Sequence, residues 1–174
     1  MAFTVTLGNL EPINSRYLGI DPGLNRTGYA LIERTAAGPV LQEGGIIQST
    51  AGTPLHRRVH EIASGLRDVI AELRPGVVAI EQLFSLSKNV KSSLLLAQAR
   101  GAILLTLADA GLPVIHYTPT QIKRLLTGNG RAPKDQIQMT VRNELRLQSI
   151  PEPHDVADAS AVALCLYYSV RIAA

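Results

Sequence analysis

The chain of 174 residues has a single cysteine, Cys165. One thiol excludes an internal disulfide framework and a cysteine-built zinc site. Its place in an apolar helical run marks it as a buried small hydrophobe, which suits a reducing cytoplasm. No uninterrupted apolar run approaches the ~20 residues that span a bilayer, so no membrane partner is expected. Residues Met1 to Arg16 lack a basic start, an apolar centre and a small-residue cleavage site, so they do not read as a secretory signal. Residues 1–16 are expected to form a flexible polar extension ahead of one domain spanning 17–174. Internal repeats and low-complexity segments are also missing. Hydrophobic residues make up 46% and charged residues 18%, as in an ordinary globular protein.

Turn and strand signals predict the order β β β α β α β α α α, an α/β fold with a mixed five-stranded sheet flanked by helices. Tyr17 to Asp21 reads as a strand stopped by Pro22-Gly23, and Thr27 to Glu33 as its antiparallel partner. Pro39 to Ser49 is expected to be a third strand, bulged or kinked at Gly44-Gly45. Thr53 is the expected N-cap of a helix with Pro54 at its first position, ended by Pro75-Gly76. Val77 to Glu81 is continuously apolar up to its carboxylate, the mark of a parallel strand buried on both faces. Lys88 to Ala110 follows as a helix, with Val90, Leu94, Leu95, Ala97, Ile103, Leu104 and Leu107 as its apolar stripe. Gly101 interrupts that helix at a cost of ~1 kcal/mol. Either a second subunit approaches there or the glycine is a tolerated defect. Val114 to Tyr117 is the fifth strand, with no evident partner for His116. A helix from Thr118 to Leu126, a basic loop through Lys134, and helices over Lys134–Leu147 and His154–Ile172 complete the chain.

Acids stand at three element ends: Asp21, Glu81, and the pair Asp155 and Asp158, which share a helix face at a spacing of three. Asp21 and Glu81 both close strands. If those strands are parallel neighbours, both carboxylates emerge at one sheet edge, where the last helix can complete a cluster. Four such groups repel unless cations neutralise them, and hard oxygen donors select Mg²⁺ or Mn²⁺. Two such ions can hydrolyse a phosphodiester. Each acid also has a plainer role. Asp before Pro-Gly is a turn former, Glu81 can form an ion pair, and Asp155 and Asp158 can complement a helix dipole. His154 is a further ligand, a proton shuttle or only a cap neighbour. His56 and His60 are four apart beside Arg57 and Arg58 and read as a solvated basic face. With four acids gathered in a site, 17 cations face ten remaining acids, a formal +7 that suits a polyanionic substrate.

Leu18-Gly19-Ile20-Asp21-Pro22-Gly23 with Thr27-Gly28-Tyr29, Ala79-Ile80-Glu81-Gln82-Leu83-Phe84, Gln98-Ala99-Arg100-Gly101 and His154-Asp155-Val156-Ala157-Asp158-Ala159 resemble the RuvC-type Holliday junction resolvases. The resemblance runs from about Tyr17 to the C-terminal helix, with the motifs in the family's order. It implies a ribonuclease H-like fold, a homodimer, two Mg²⁺ or Mn²⁺ ions per site, and symmetric nicking of four-way DNA junctions in recombination and repair. The RuvA and RuvB branch-migration proteins are the further partners it suggests. Carried across, Asp21, Glu81, Asp155 and Asp158 are the catalytic, metal-binding acids, with His154 beside Asp155 as an alternative ligand. Phe84 falls where the family has an aromatic near the junction centre, suited to stacking on a base or else to core packing. Lys123 and Lys134 match family lysines that contact DNA, while Arg100, Arg124 and Arg131 are candidates for backbone contacts. The segment before Tyr17 departs from the family pattern.

Three rivals stand against that reading: a ribonuclease H-like nuclease of another substrate such as an RNA–DNA hybrid, an actin-like or sugar-kinase phosphate-binding module, and a non-catalytic junction-binding protein. The phosphate-binding proteins repeat this domain, and no second copy is found here.

Overall fold

The computed structural model describes residues 15–82 and 90–170. Strand β1 (Arg16–Asp21) is followed by β2 (Arg26–Thr35) and β3 (Gly38–Gln48), each antiparallel to the one before. Helix α1 (Leu55–Leu73) leads to β4 (Val77–Glu81), and α2 (Val90–Asp109) leads to β5 (Val114–Tyr117). The chain then forms α3 (Pro119–Thr127), α4 (Lys134–Glu144) and α5 (His154–Ser169). The sheet order is β3-β2-β1-β4-β5, with β4 parallel to both β1 and β5. This is the mixed five-stranded sheet expected.

Side chains alternate between the two faces of a strand, and that parity sorts the core into two. Tyr17, Val77, Ala79, Ile32 and Tyr117 pack with α3, α4 and α5 on one face. Leu18, Ile20, Val78, Ile80 and Leu31 pack with α1 and α2 on the other. Helix α5 is apolar almost all round, with Val156, Ala157 and Ala159 to Tyr167 buried. It lies directly on β1, where its alanines permit close approach. A Cβ on Gly19 would stand 2.2 Å from the Ala159 carbonyl oxygen and 2.4 Å from the Ala163 nitrogen. Only a bare backbone fits under the helix at that point.

Several local expectations are corrected. The β2–β3 ladder shifts register between Leu31, opposite Glu43, and Ile32, opposite Leu41, so Gln42 is the extra residue rather than the glycines. Gly44 and Gly45 pair regularly. A Cβ at Gly44 would stand 2.6 Å from Val156 Cγ1, and one at Gly45 would stand 2.6 Å from the Tyr29 hydroxyl oxygen. Thr53 does not cap α1; its hydroxyl donates to Thr50 O at 2.8 Å, and Pro54 occupies the cap position. Helix α4 stops at Glu144 rather than Leu147. Arg146 adopts φ 53°, and its N–H bonds Asn143 O at 3.1 Å while the Leu147 N–H bonds Arg142 O at 2.9 Å, a Schellman closure. Helix α5 ends at Ser169, with Val170 extended after it, and the expected end at Ile172 lies outside the described residues. The Arg34 guanidinium lies 3.9 Å from the Tyr167 ring centroid and donates to the carbonyls of Tyr167 and Val170, placing a cation at the helix C-terminus.

Helix α2 departs furthest from its expected stripe. Ile103 and Leu107 are buried with Ala99 and Thr106, whereas Val90, Leu94 and Leu105 are 57%, 56% and 64% exposed. A helix apolar on all sides carries no periodic signal of which side is covered. Its 20 residues match a membrane span in length and mean hydropathy, 1.2. Arg100 near its middle and its packing against α1 mark it instead as a domain helix.

Candidate active site

Asp21 and Glu81 stand one residue beyond the Ile20–Ile80 pair of the parallel β1–β4 ladder, so they leave the sheet side by side. Their odd numbers place them with Tyr17, Val77 and Ala79 on the face that α5 covers. The crossing at Gly19 carries the start of α5 over β2. A Cβ on Gly28 would stand 2.2 Å from the Asp155 carbonyl oxygen. Asp21 pairs directly with Gly28, so the close contact sets Asp155 beside Asp21, with Asp158 one turn further along. The cluster thus depends on two glycines in the sheet and a row of alanines in the helix.

Electrostatics record the convergence. Burial pushes the Asp21 carboxyl up to about 8, reinforced by Glu81, Asp158 and Asp155 and opposed by Lys134. Glu81 is also raised by burial and by Asp158, while Lys134 and Lys123 pull it down. Lys134, at the start of α4, donates from Nζ to Asp158 Oδ2 at 2.7 Å. That hydrogen bond is the main reason its ammonium is held above the ordinary lysine value.

Among the described residues, no three His, Cys, Asp or Glu side chains close into a metal cage. The donor chemistry nevertheless fits a divalent cation: hard carboxylate oxygens share one edge, and Asp21 is raised first by burial and then by its acidic neighbours, both of which positive charge would offset. Lys134 supplies part of that charge at Asp158.

The other expected site residues distribute unevenly. Lys123, on α3, is close enough to lower Glu81. Arg131 lies exposed in the loop before α4, where its N–H bonds Asn129 Oδ1 at 2.9 Å. The backbone carbonyl of Arg124 accepts from the Gly128 N–H that ends α3. His154 Nδ1 pairs with Gln138 Nε2 at 3.2 Å; Asp155, not His154, is among the groups acting on Asp21. Phe84 lies outside the described residues. Arg100 is engaged within the chain: Nε donates to the Glu81 carbonyl at 3.3 Å and Nη2 meets His116 Nδ1 at 2.7 Å. His116 therefore has a partner that sequence reasoning missed, and burial and this arginine both lower its pKa. The signal was parity, since His116 shares a sheet face with Val114, which packs on the α1–α2 side. The Lys134–Asp158 pair carried no signal, because the two residues are joined only by the packing of α4 on α5.

Comparison with known proteins identifies the family. The family model described as crossover junction endodeoxyribonuclease RuvC matches residues 17–166. The chain is 51% identical over 151 residues to crossover junction endodeoxyribonuclease RuvC of Rhodopirellula baltica, covering 87% of this chain and 85% of that protein. It is 46% identical over 148 residues to the protein of the same description from Moorella thermoacetica, covering 85% and 88% respectively. Its structure is similar to that of T. thermophilus RuvC in complex with Holliday junction substrate, with TM-score 0.82 and 32% identity over 90% of this chain and 95% of that one. With a ribonuclease H-like sheet and acids meeting at its edge, the chain belongs to the RuvC family of crossover junction endodeoxyribonucleases.

Proposed function

We propose that the protein is a structure-selective endonuclease that resolves four-way DNA junctions by paired, symmetric nicks. The observation carrying this reading is the meeting of Asp21, Glu81, Asp155 and Asp158, from two strands and a helix, beside Lys123 and Lys134. Asp21, Glu81, Asp155 and Asp158 would hold Mg²⁺ or Mn²⁺, two ions per site, with Asp155 preferred over His154 because His154 is engaged by Gln138. Divalent cations bound there supply an activated water and charge stabilisation at the leaving oxygen.

The remaining work falls to the chain itself. Glu81 has its backbone held by the β4–β5 ladder and by Arg100. Asp21 sits under α5, where burial and its acidic neighbours favour the protonated carboxyl and positive charge would favour the ionised one. Lys134 remains cationic beside Asp158 and neutralises charge developing on the phosphorus oxygens. Lys123, Arg124 and Arg131 contact the DNA backbone, which positions the duplex arms without reading sequence.

A two-fold junction needs two such sites, and α2 suits a homodimer contact. Val90, Leu94, Ala97, Gly101, Leu105 and Ala108 are exposed along one side of it. A Cβ at Gly101 would meet nothing within 4 Å, so packing within this chain does not require the glycine. Sedimentation of the wild type and of Leu94→Glu checks the contact; a monomeric wild type would refute it.

Substituting Asp21→Asn tests the catalytic assignment. The variant should bind synthetic four-way junctions and nick none of them in Mg²⁺ or Mn²⁺. Normal nicking by the variant, or wild-type cleavage of an RNA–DNA hybrid in preference to junctions, would overturn the reading.

A further inference from the structure

A cleft of about 580 Å³ opens beside the acids, lined by Asn25, Arg26, Gln48, Ser49 and Asp155 with Gly23 and Ala51. That size lies in the range of ~300–1,000 Å³ typical of sites that enclose a small molecule. We propose that this cleft receives the base next to the scissile phosphodiester, and that Asn25, Arg26 and Gln48 set the cleavage-site preference. The inference rests on the junction-nuclease reading and deepens it.

The position is right because the cleft shares Asp155 with the acid cluster and opens where the β1–β2 turn meets the end of β3. Arg26 and Gln48 are direct partners across the antiparallel β2–β3 ladder, both exposed. Residues so placed have Cβ atoms ~5 Å apart, close enough to grip one planar group.

The floor is rigid. Ser49 is buried; its hydroxyl donates to Leu24 O and accepts from Arg58 Nε at 3.0 Å, and its N–H bonds Asn25 O at 3.1 Å. Thr27 Oγ1 donates to Gly23 O at 2.8 Å, tying the same turn. Arg58 Nη2 donates to Asn25 Oδ1. That bond fixes the amide plane and leaves Asn25 with two N–H donors for an incoming group.

The chemistry favours a base over a phosphate. Arg58 is committed to Ser49, Asn25 and the Leu24 carbonyl, and Arg26 lines the cleft together with Asp155. Few free cationic donors are left for a backbone phosphate, since Arg58 spends its N–H groups inside the chain and Arg26 is the one other cation lining the cleft among the described residues. Two amides and one guanidinium are the groups that pair with base edges, whereas clustered cations hold phosphates. Lys123, Arg124, Arg131 and Lys134 supply such cations elsewhere and do not line this cleft.

The test uses full-length protein and mobile four-way junctions in which the bases flanking each nick are randomised, with products sequenced. The readout is the ratio of cleavage at preferred and disfavoured bases within one reaction, so partial loss of total activity does not obscure it. The wild type should show a preference. Asn25→Asp keeps the oxygen that Arg58 holds but removes the donors, and Gln48→Ala removes the facing amide. Each should lower the ratio by about tenfold, the discrimination expected of one good base contact. An unchanged ratio in both variants, or a wild type that cuts junctions without preference, overturns the subsite. A wild type that cuts no junction overturns the underlying reading instead, and needs no variant to reveal it.

Discussion

Replacing Asp21 by Asn should make the metal-free protein markedly more stable while abolishing cutting. The folded Asp21 carboxyl holds its proton up to about pH 8, whereas the ordinary value is 3.8. Between those limits the folded state binds more protons than the unfolded state, so stability falls as pH rises. At 1.36 kcal/mol per pH unit, withholding from the folded carboxyl the ionisation that the unfolded chain gains between pH 3.8 and 7 costs about 4 kcal/mol of stability at pH 7. Asparagine is neutral and close in size, so it escapes that cost. In a domain of this length ~1 kcal/mol moves Tm by about 2–4 °C, and the variant should therefore melt about 10 °C higher at pH 7 in chelator. Thermal and urea unfolding of both proteins at pH 5, 7 and 9 is the assay. The gap should widen with pH, then narrow when Mg²⁺ is added, because the cation stabilises only the wild type. Equal stability at pH 7 without metal, or a wild-type stability that does not fall between pH 5 and 8, would refute the reasoning.

Two further outcomes follow from contacts in the fold. Gly19→Ala should destabilise by about 3 kcal/mol or more, since the new Cβ meets the backbone of α5 and no side chain can yield; an unchanged urea midpoint would contradict the close crossing. Arg100→Met should slow nicking by up to about 10²-fold by releasing the Glu81 backbone, with the salt dependence of junction binding unchanged. A salt slope reduced by about one would instead identify Arg100 as a phosphate contact.

Much of this protein is legible in one dimension. Alternation and turn residues mark β1 to β3, an unbroken apolar run marks β4, and Asp21 and Glu81 announce themselves as acids closing apolar strands. Local rules decide these features, because a strand's period and a turn's chemistry act over a few residues. Thr118, which caps α3 and shares a reciprocal capping box with Gln121, belongs with them. What remained hidden depends on partners far away in the chain. The side of α2 that is covered, the end of α5 under Arg34, the Arg100–His116 bond and the Lys134–Asp158 pair each need packing to specify the neighbour. The acid cluster sits between the two classes. Residue types and strand ends predict its members, but their meeting requires α5 to lie against β1 at Gly19 and β2 at Gly28, a distance set by atoms touching and not by any pattern along the chain.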